Sequence, residues 1–176
     1  LFKGKAKELF EVETITSNEL ENLINECAKV YSGNPKWLDA DNGIKTINFA
    51  KAVCSETARL AMLGTKITID GSARAEWLQK QIDDIYFKLR DWVEYGCAYG
   101  TIVLKPNGKS IDLVTLGKFM VVKSENGKIT GIVFVNQEEV GKKYYTRFEY
   151  HRFEDDGTYI ISNKCYVGDS QNDINK

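Results

Sequence analysis

The stretch EYGCAYGTIVLKPNGKS, Glu94 to Ser110, decides the fold of this chain. It holds two glycines four apart, a run of aliphatic residues, and a Gly-Lys-Ser that resembles part of a nucleotide-binding loop. A phosphate loop needs a glycine five positions before its second glycine, and a helix afterwards to aim backbone amides at phosphate. The first position holds Val103, and the residues that follow, IDLV, read as a strand. Asn107-Gly108 is instead a hairpin turn, because both residues tolerate the positive φ that a tight turn demands. Gly96 then reads as the end of a helix and Gly100 as the point where the chain turns into a strand, with the small pair Cys97 and Ala98 between them.

Upstream of this junction the apolar residues recur at three and four. Leu20, Leu23, Ile24, Cys27, Ala28 and Tyr31 form one stripe, with Thr16 as cap and Glu19 completing a capping box; Gly33 and Pro35 stop that helix. Ile47, Ala50, Val53, Cys54, Thr57, Ala58 and Ala61 form a second, narrow stripe of small side chains, which Gly64 ends. KITID, Lys66 to Asp70, alternates like an edge strand. Ser72 then caps a long helix carrying Leu78, Ile82, Ile85, Leu89 and Trp92.

Downstream the period falls towards two, and Asn107-Gly108, Asn126-Gly127 and Asp156-Gly157 mark hairpins. The spacing predicts strands at 101–105, 110–115, 119–123, 129–136, 143–153 and 158–166, joined by connections too short for parallel crossovers. The expected class is α+β: about three N-terminal helices followed by an antiparallel meander of five or six strands. Residues 1–176 are expected to form a single domain, helical over about 16–95 and sheet over about 101–166.

A hydrophobic share of 43% supports a substantial core, and 24 basic against 25 acidic side chains give a net charge of -1, so no global field draws the chain to nucleic acid or an anionic membrane. No window is apolar enough to span a bilayer, and no leader pattern opens the chain. Cys27, Cys54, Cys97 and Cys165 lack zinc-site spacing, and three of them fall on core faces, which predicts buried reduced thiols and a reducing cytoplasm. A start at Leu1 and the polar tail GDSQNDINK predict a piece of a longer protein.

Candidate chemistry is sparse. Asp39, Asp41 and Asn42 suggest a calcium loop, but its sixth and twelfth positions hold Ile44 and Ala50 in place of glycine and glutamate, so a solvated turn is expected and no metal or cofactor. In KKYYTRFEYHRFE, Tyr144, Phe148 and Tyr150 alternate to one face and Arg147, Glu149 and His151 to the other, which places His151, the single histidine, on a wet face. Lys142, Lys143, Arg147 and Arg152 lie among tyrosines, a composition that could neutralise and stack on single-stranded nucleic acid. The competing reading is cross-strand pairing of these cations with carboxylates, or a contact between subunits. No catalytic residue is singled out, and no enzymatic role is expected.

The ordered series ELFEVE, GNPKWL, SETARL, GSARAEWL, EYGCAYGTIVLKP, ITGIVFVNQ, YYTRFEYHRF and NKCY runs over nearly the whole chain. It resembles the portal proteins of tailed bacteriophages, in a branch found in phages of Gram-positive hosts. One departure is VTLGKF, Val114 to Phe119, where the family pattern has a Val-x-Ala-Asp-x-Phe type run. The resemblance implies a structural subunit of a homo-oligomeric ring, usually of about twelve copies. Such a ring sits at one capsid vertex of the virion and is assembled in the host cytoplasm; double-stranded DNA passes through it during packaging and ejection. It also implies terminase, scaffold and head-completion proteins as partners, and no membrane. Portal chains continue into stem, clip and crown regions, so this segment corresponds to the N-terminal wing. Lacking those ring-closing contacts, it is expected to be a monomer or weak dimer by itself. The alternative function is a nucleic-acid-binding module built on strand 142–153.

Overall fold

The computed structural model describes residues 2–38, 43, 46–108 and 110–171. It contains four helices, α1 (Phe2–Phe10), α2 (Asn18–Tyr31), α3 (Phe49–Gly64) and α4 (Ala73–Tyr99). Six strands follow: β1 (Ile102–Pro106), β2 (Ile111–Thr115), β3 (Phe119–Glu125), β4 (Lys128–Val140), β5 (Lys143–Phe153) and β6 (Tyr159–Gly168). The class is α+β, with every strand pair antiparallel. Two details differ from expectation. The strands form two sheets, a β1-β2 hairpin and a β3-β4-β5-β6 meander, and there is a fourth helix at the start.

Contacts divide the chain into two compact units, Leu1–Leu20 with Gly117–Lys176, and Glu21–Leu116. β1 and β2 pair only with each other and touch α4, so they group with the helices, while α1 groups with the four-stranded sheet.

In the sheet unit, α1 covers one face. Phe2, Ala6, Leu9 and Phe10 line one side of the helix and join Met120, Val133, Val135, Phe148 and Tyr150 in a core where Val133 and Phe148 are fully buried. Phe2 meets Phe148 edge-on at 6.1 Å, and Phe10 meets Tyr150 at 5.3 Å between ring centres. Lys5, also buried, lays its ammonium over the Tyr166 ring and bonds Glu8 at 2.9 Å, which satisfies its charge. The turn between β3 and β4 has positive φ at Asn126 (50°) and Gly127 (74°), the geometry that the sequence signal required.

In the helical unit, α3 packs along α4. α4 starts where Ser72 Oγ accepts the Ala75 amide and ends at Gly100, whose φ of 74° is left-handed and whose amide returns to the Gly96 carbonyl. The helix thus runs through Gly96, and Gly100 alone makes the turn into β1. After Asn107 the chain reverses, with Asn107 Oδ1 accepting the Ser110 amide, and continues as β2, so a strand and not a helix follows Ser110.

α2 is capped by Ser17, whose Oγ accepts the Leu20 amide at 3.2 Å, one residue later than the expected Thr16 box. Tyr31 at its end donates to Glu94 of α4 at 2.6 Å and groups with the Tyr95 and Tyr99 rings; burial and then Glu94 raise its phenol well above the ordinary value. Lys66–Asp70 is not a strand. The Gln79 side-chain amide takes the place of a neighbouring strand, accepting from Ile69 N–H and donating to Ile67 C=O, and Tyr86 donates to the Thr65 carbonyl.

Phe148→Ala removes a fully buried ring from the sheet core and is expected to cost about 3–5 kcal/mol in urea denaturation followed by far-ultraviolet circular dichroism. Phe153→Ala, on the same strand but 47% exposed, is expected to cost less than about 1 kcal/mol.

Candidate functional site

The four cations singled out by sequence do not form one surface. Successive side chains of a strand point to opposite faces, so Lys143 and Arg147 share a face of β5 and Arg152 lies on the other, the face that carries Phe148, Tyr150 and α1. Lys142 sits in the preceding turn. Three of them are paired. Lys143 bonds Asp169, Arg147 lies 3.4 Å from Glu149, and Arg152 donates to Glu154 at 2.6 Å and to Ser162 at 3.1 Å while covering the Tyr150 ring. This is the carboxylate-pairing arrangement, and it leaves little unneutralised charge to meet phosphate.

His151 is buried, not solvent-facing. Glu149 and His151 are two apart on β5 and therefore project together, and the 156–157 turn brings β6 back so that Ile161 lies opposite His151 and Tyr159 opposite Phe153. His151 Nε2 meets Glu149 Oε1 at 2.5 Å, its Nδ1 meets the Tyr159 hydroxyl, and Phe134 of β4 stands edge-on to the imidazole at 5.1 Å. A carboxylate only accepts, so the imidazole donates from Nε2, and in its neutral form Nδ1 accepts the phenol proton. The Glu-x-His spacing was visible in the sequence; what hid the cluster was burial by Phe134 and Tyr159 from flanking strands.

This hydroxyl–imidazole–carboxylate chain has the connectivity of a proton relay. Burial, and then Glu149, raise the Tyr159 phenol above its ordinary value, so it stays a hydrogen-bond donor at neutral pH. The cluster acts as a polar clamp between β5 and β6.

Elsewhere the described residues offer little chemistry. No group of three or more His, Cys, Asp or Glu side chains among them is arranged to hold a metal ion. The Asp39, Asp41, Asn42 turn lies outside the described residues. The four cysteines are free, as expected, but Cys27, Cys97 and Cys165 are exposed and Cys54 half-buried, so they are not core thiols. Burial raises the Cys54 thiol, with Cys97 and Glu94 adding to the effect. Among the described residues no helix is long and apolar enough to cross a membrane.

No protein-family model matches this chain, and no curated protein matches it.

The distinctive feature is the surface of the helical unit. Trp37, Ile47, Phe49, Leu63 and Phe87 are each more than two-thirds exposed, whereas the buried apolar residues of this unit are only Ala58, Ala75, Ile85 and Trp92 among the described residues. An apolar groove of about 390 Å³ also opens between α4 and β1, walled by Leu89, Val93, Cys97, Ile102 and Leu104 over Trp92. Surfaces of this kind mark contacts with other macromolecules more often than reaction sites.

A group whose pKa is raised by folding contributes stability below its unfolded value and loses that contribution as pH climbs through the folded one. Wild type is therefore expected to lose more stability than Tyr159→Phe as pH rises above about 10 in denaturation experiments. Glu149→Gln should lower the Tyr159 phenol only in part, since burial is the larger cause.

Proposed function

We propose that this chain is the wing segment of a tailed-phage portal subunit, a mechanical part of a homo-oligomeric ring at the capsid vertex. The observation that carries the reading is the outward apolar surface of the helical unit, led by Phe49, Leu60 and Leu63 of α3. A helix that buries Ala58 while Phe49, Leu60 and Leu63 face water is suited to being covered in an assembly. The ordered residue series from ELFEVE to NKCY supports the same reading, as does a net charge of -1: a passage for DNA works by letting phosphate slide, which a dense basic surface hinders. Terminase, scaffold and head-completion proteins are the partners that such a ring would meet, and the virion its destination.

The whole protein that carries this segment is expected to show rings with a central channel in negative-stain electron microscopy. Persistence as a monomer at high concentration overturns the proposal. The segment by itself is expected to be a monomer or weak dimer.

The nucleic-acid reading makes a different forecast. Because Lys143, Arg147 and Arg152 are paired and divided between two faces, labelled single-stranded DNA is expected to give no salt-sensitive binding. Binding that weakens with salt and disappears in Lys143→Ala and Arg147→Ala would instead establish strand 142–153 as a nucleic-acid platform.

A further inference from the structure

Two of the four cysteines meet across the α3–α4 pair. The inward side of α3 is a row at steps of four, Ala50, Cys54, Ala58 and Met62, in which Ala58 is fully buried and the other three are half-buried. On α4, Tyr86, Arg90, Glu94 and Cys97 follow steps of four, four and three and therefore share one side of the helix. That side looks towards α3: Tyr86 donates to the Thr65 carbonyl at 2.6 Å, just past the end of α3, and Arg90 donates to Ser55 at 3.4 Å.

The two helices run in opposite directions. Thr65, after the end of α3, lies beside Tyr86, whereas Asn48, at its start, donates to the carbonyl of Tyr31, whose hydroxyl donates to Glu94. From Thr65 back to Cys54 and from Tyr86 forward to Cys97 are equal steps in the chain. Because both helices rise by about 1.5 Å per residue, those equal steps bring the two cysteines to the same height along the pair. The small side chains of α3 let the helix axes approach, which the short Cα span of a disulfide requires. The thiols also act on each other: burial raises the Cys54 thiol most, and Cys97 is the next cause.

We infer that Cys54 and Cys97 are a redox pair, which a peroxide closes into a disulfide that pins α3 to α4. Their surroundings give them different parts. Cys97 is exposed and lines the α4–β1 groove, where an oxidant reaches it, whereas Cys54 is half-buried between the helices. The Cys97 thiolate attacks one peroxide oxygen; the O–O bond breaks, Cys97 becomes a sulfenic acid, and the other oxygen leaves as hydroxide. The Cys54 thiolate then attacks the Cys97 sulfur; the S–S bond forms, the S–O bond breaks, and a second hydroxide leaves. The two hydroxides take up the protons that the two thiols gave, so two sulfurs have passed two electrons to one peroxide and two waters result. A dithiol reductant reverses the step by exchange. Cys27 on α2 and Cys165 on β6 take no part. The pair lies within one chain and is independent of the portal reading.

The test treats the wild-type chain with hydrogen peroxide and then alkylates the thiols that remain. Two of the four free cysteines are expected to be lost, and mass spectrometry of a non-reducing digest should find Cys54 joined to Cys97 within one copy, a link that dithiothreitol releases. The melting temperature should rise by about 5–15 °C on oxidation and return on reduction. In Cys54→Ser, whose fold is checked by circular dichroism, the link cannot form and dimedone should trap the sulfenic acid at Cys97. The same oxidation in urea should scatter links among the four cysteines, which separates a pair held ready by the fold from chance encounter. Cys97 joined instead to Cys27 or Cys165, links found only between copies, or thiols at 54 and 97 that persist while the exposed Cys165 is oxidised overturn the inference.

Discussion

The contact between α3 and α4 sets the character of the helical unit. Two helices approach closely only where their facing side chains are small, and α3 meets α4 through Cys54, Ser55 and Ala58. That choice leaves Phe49, Val53, Leu60 and Leu63 on the far side, so tight internal packing and an apolar exterior arise from one arrangement. A free-standing surface helix would distribute its residues the other way round.

The sheet unit follows the ordinary rule. Its core, centred on Val133 and Phe148, is closed on one face by α1, and even its buried charges are matched: Lys5 with Glu8 and Tyr166, and Glu149 with His151 and Arg147. β5 lies between β4 and β6 and is paired with both along nearly its full length, which removes it from any edge. The two units thus differ in kind: the sheet unit buries its large apolar side chains, whereas the helical unit leaves many of its own exposed.

Much of the fold was legible because local chemistry and final structure agree. Asn107-Gly108, Asn126-Gly127 and Asp156-Gly157 mark turns that the chain makes, and Ser72 caps α4 as its position suggested. α1 was missed because nine residues interrupted by Lys3, Gly4, Lys5 and Lys7 show barely two turns of apolar repeat, and its stability comes from the sheet beneath it. Lys66–Asp70 alternates like a strand but finds its partner in the Gln79 side chain, which no pattern of period two reveals. The burial of His151 depended on Phe134 and Tyr159 from adjacent strands, and the separation of Arg152 from Arg147 on the simple parity of their positions. The stripe read from Ile47 to Ala61 mixes residues that face α4, such as Cys54 and Ala58, with exposed ones, Ile47 and Val53, and it passes over Phe49, Leu60 and Leu63, because both sides of α3 keep helical spacing.

α4 has a mechanical consequence. Its 27 residues span about 40 Å without a proline, long enough to serve as a strut across a small unit. Its first half is lashed to the 65–70 segment by Gln79 and Tyr86, and its last part is braced by Tyr31 and leads into the β1-β2 hairpin. Held in both halves, the helix fixes the distance between the 65–70 segment and the β1-β2 hairpin. Gly96, one turn before the end, is the point where the rod is softest and where bending would concentrate.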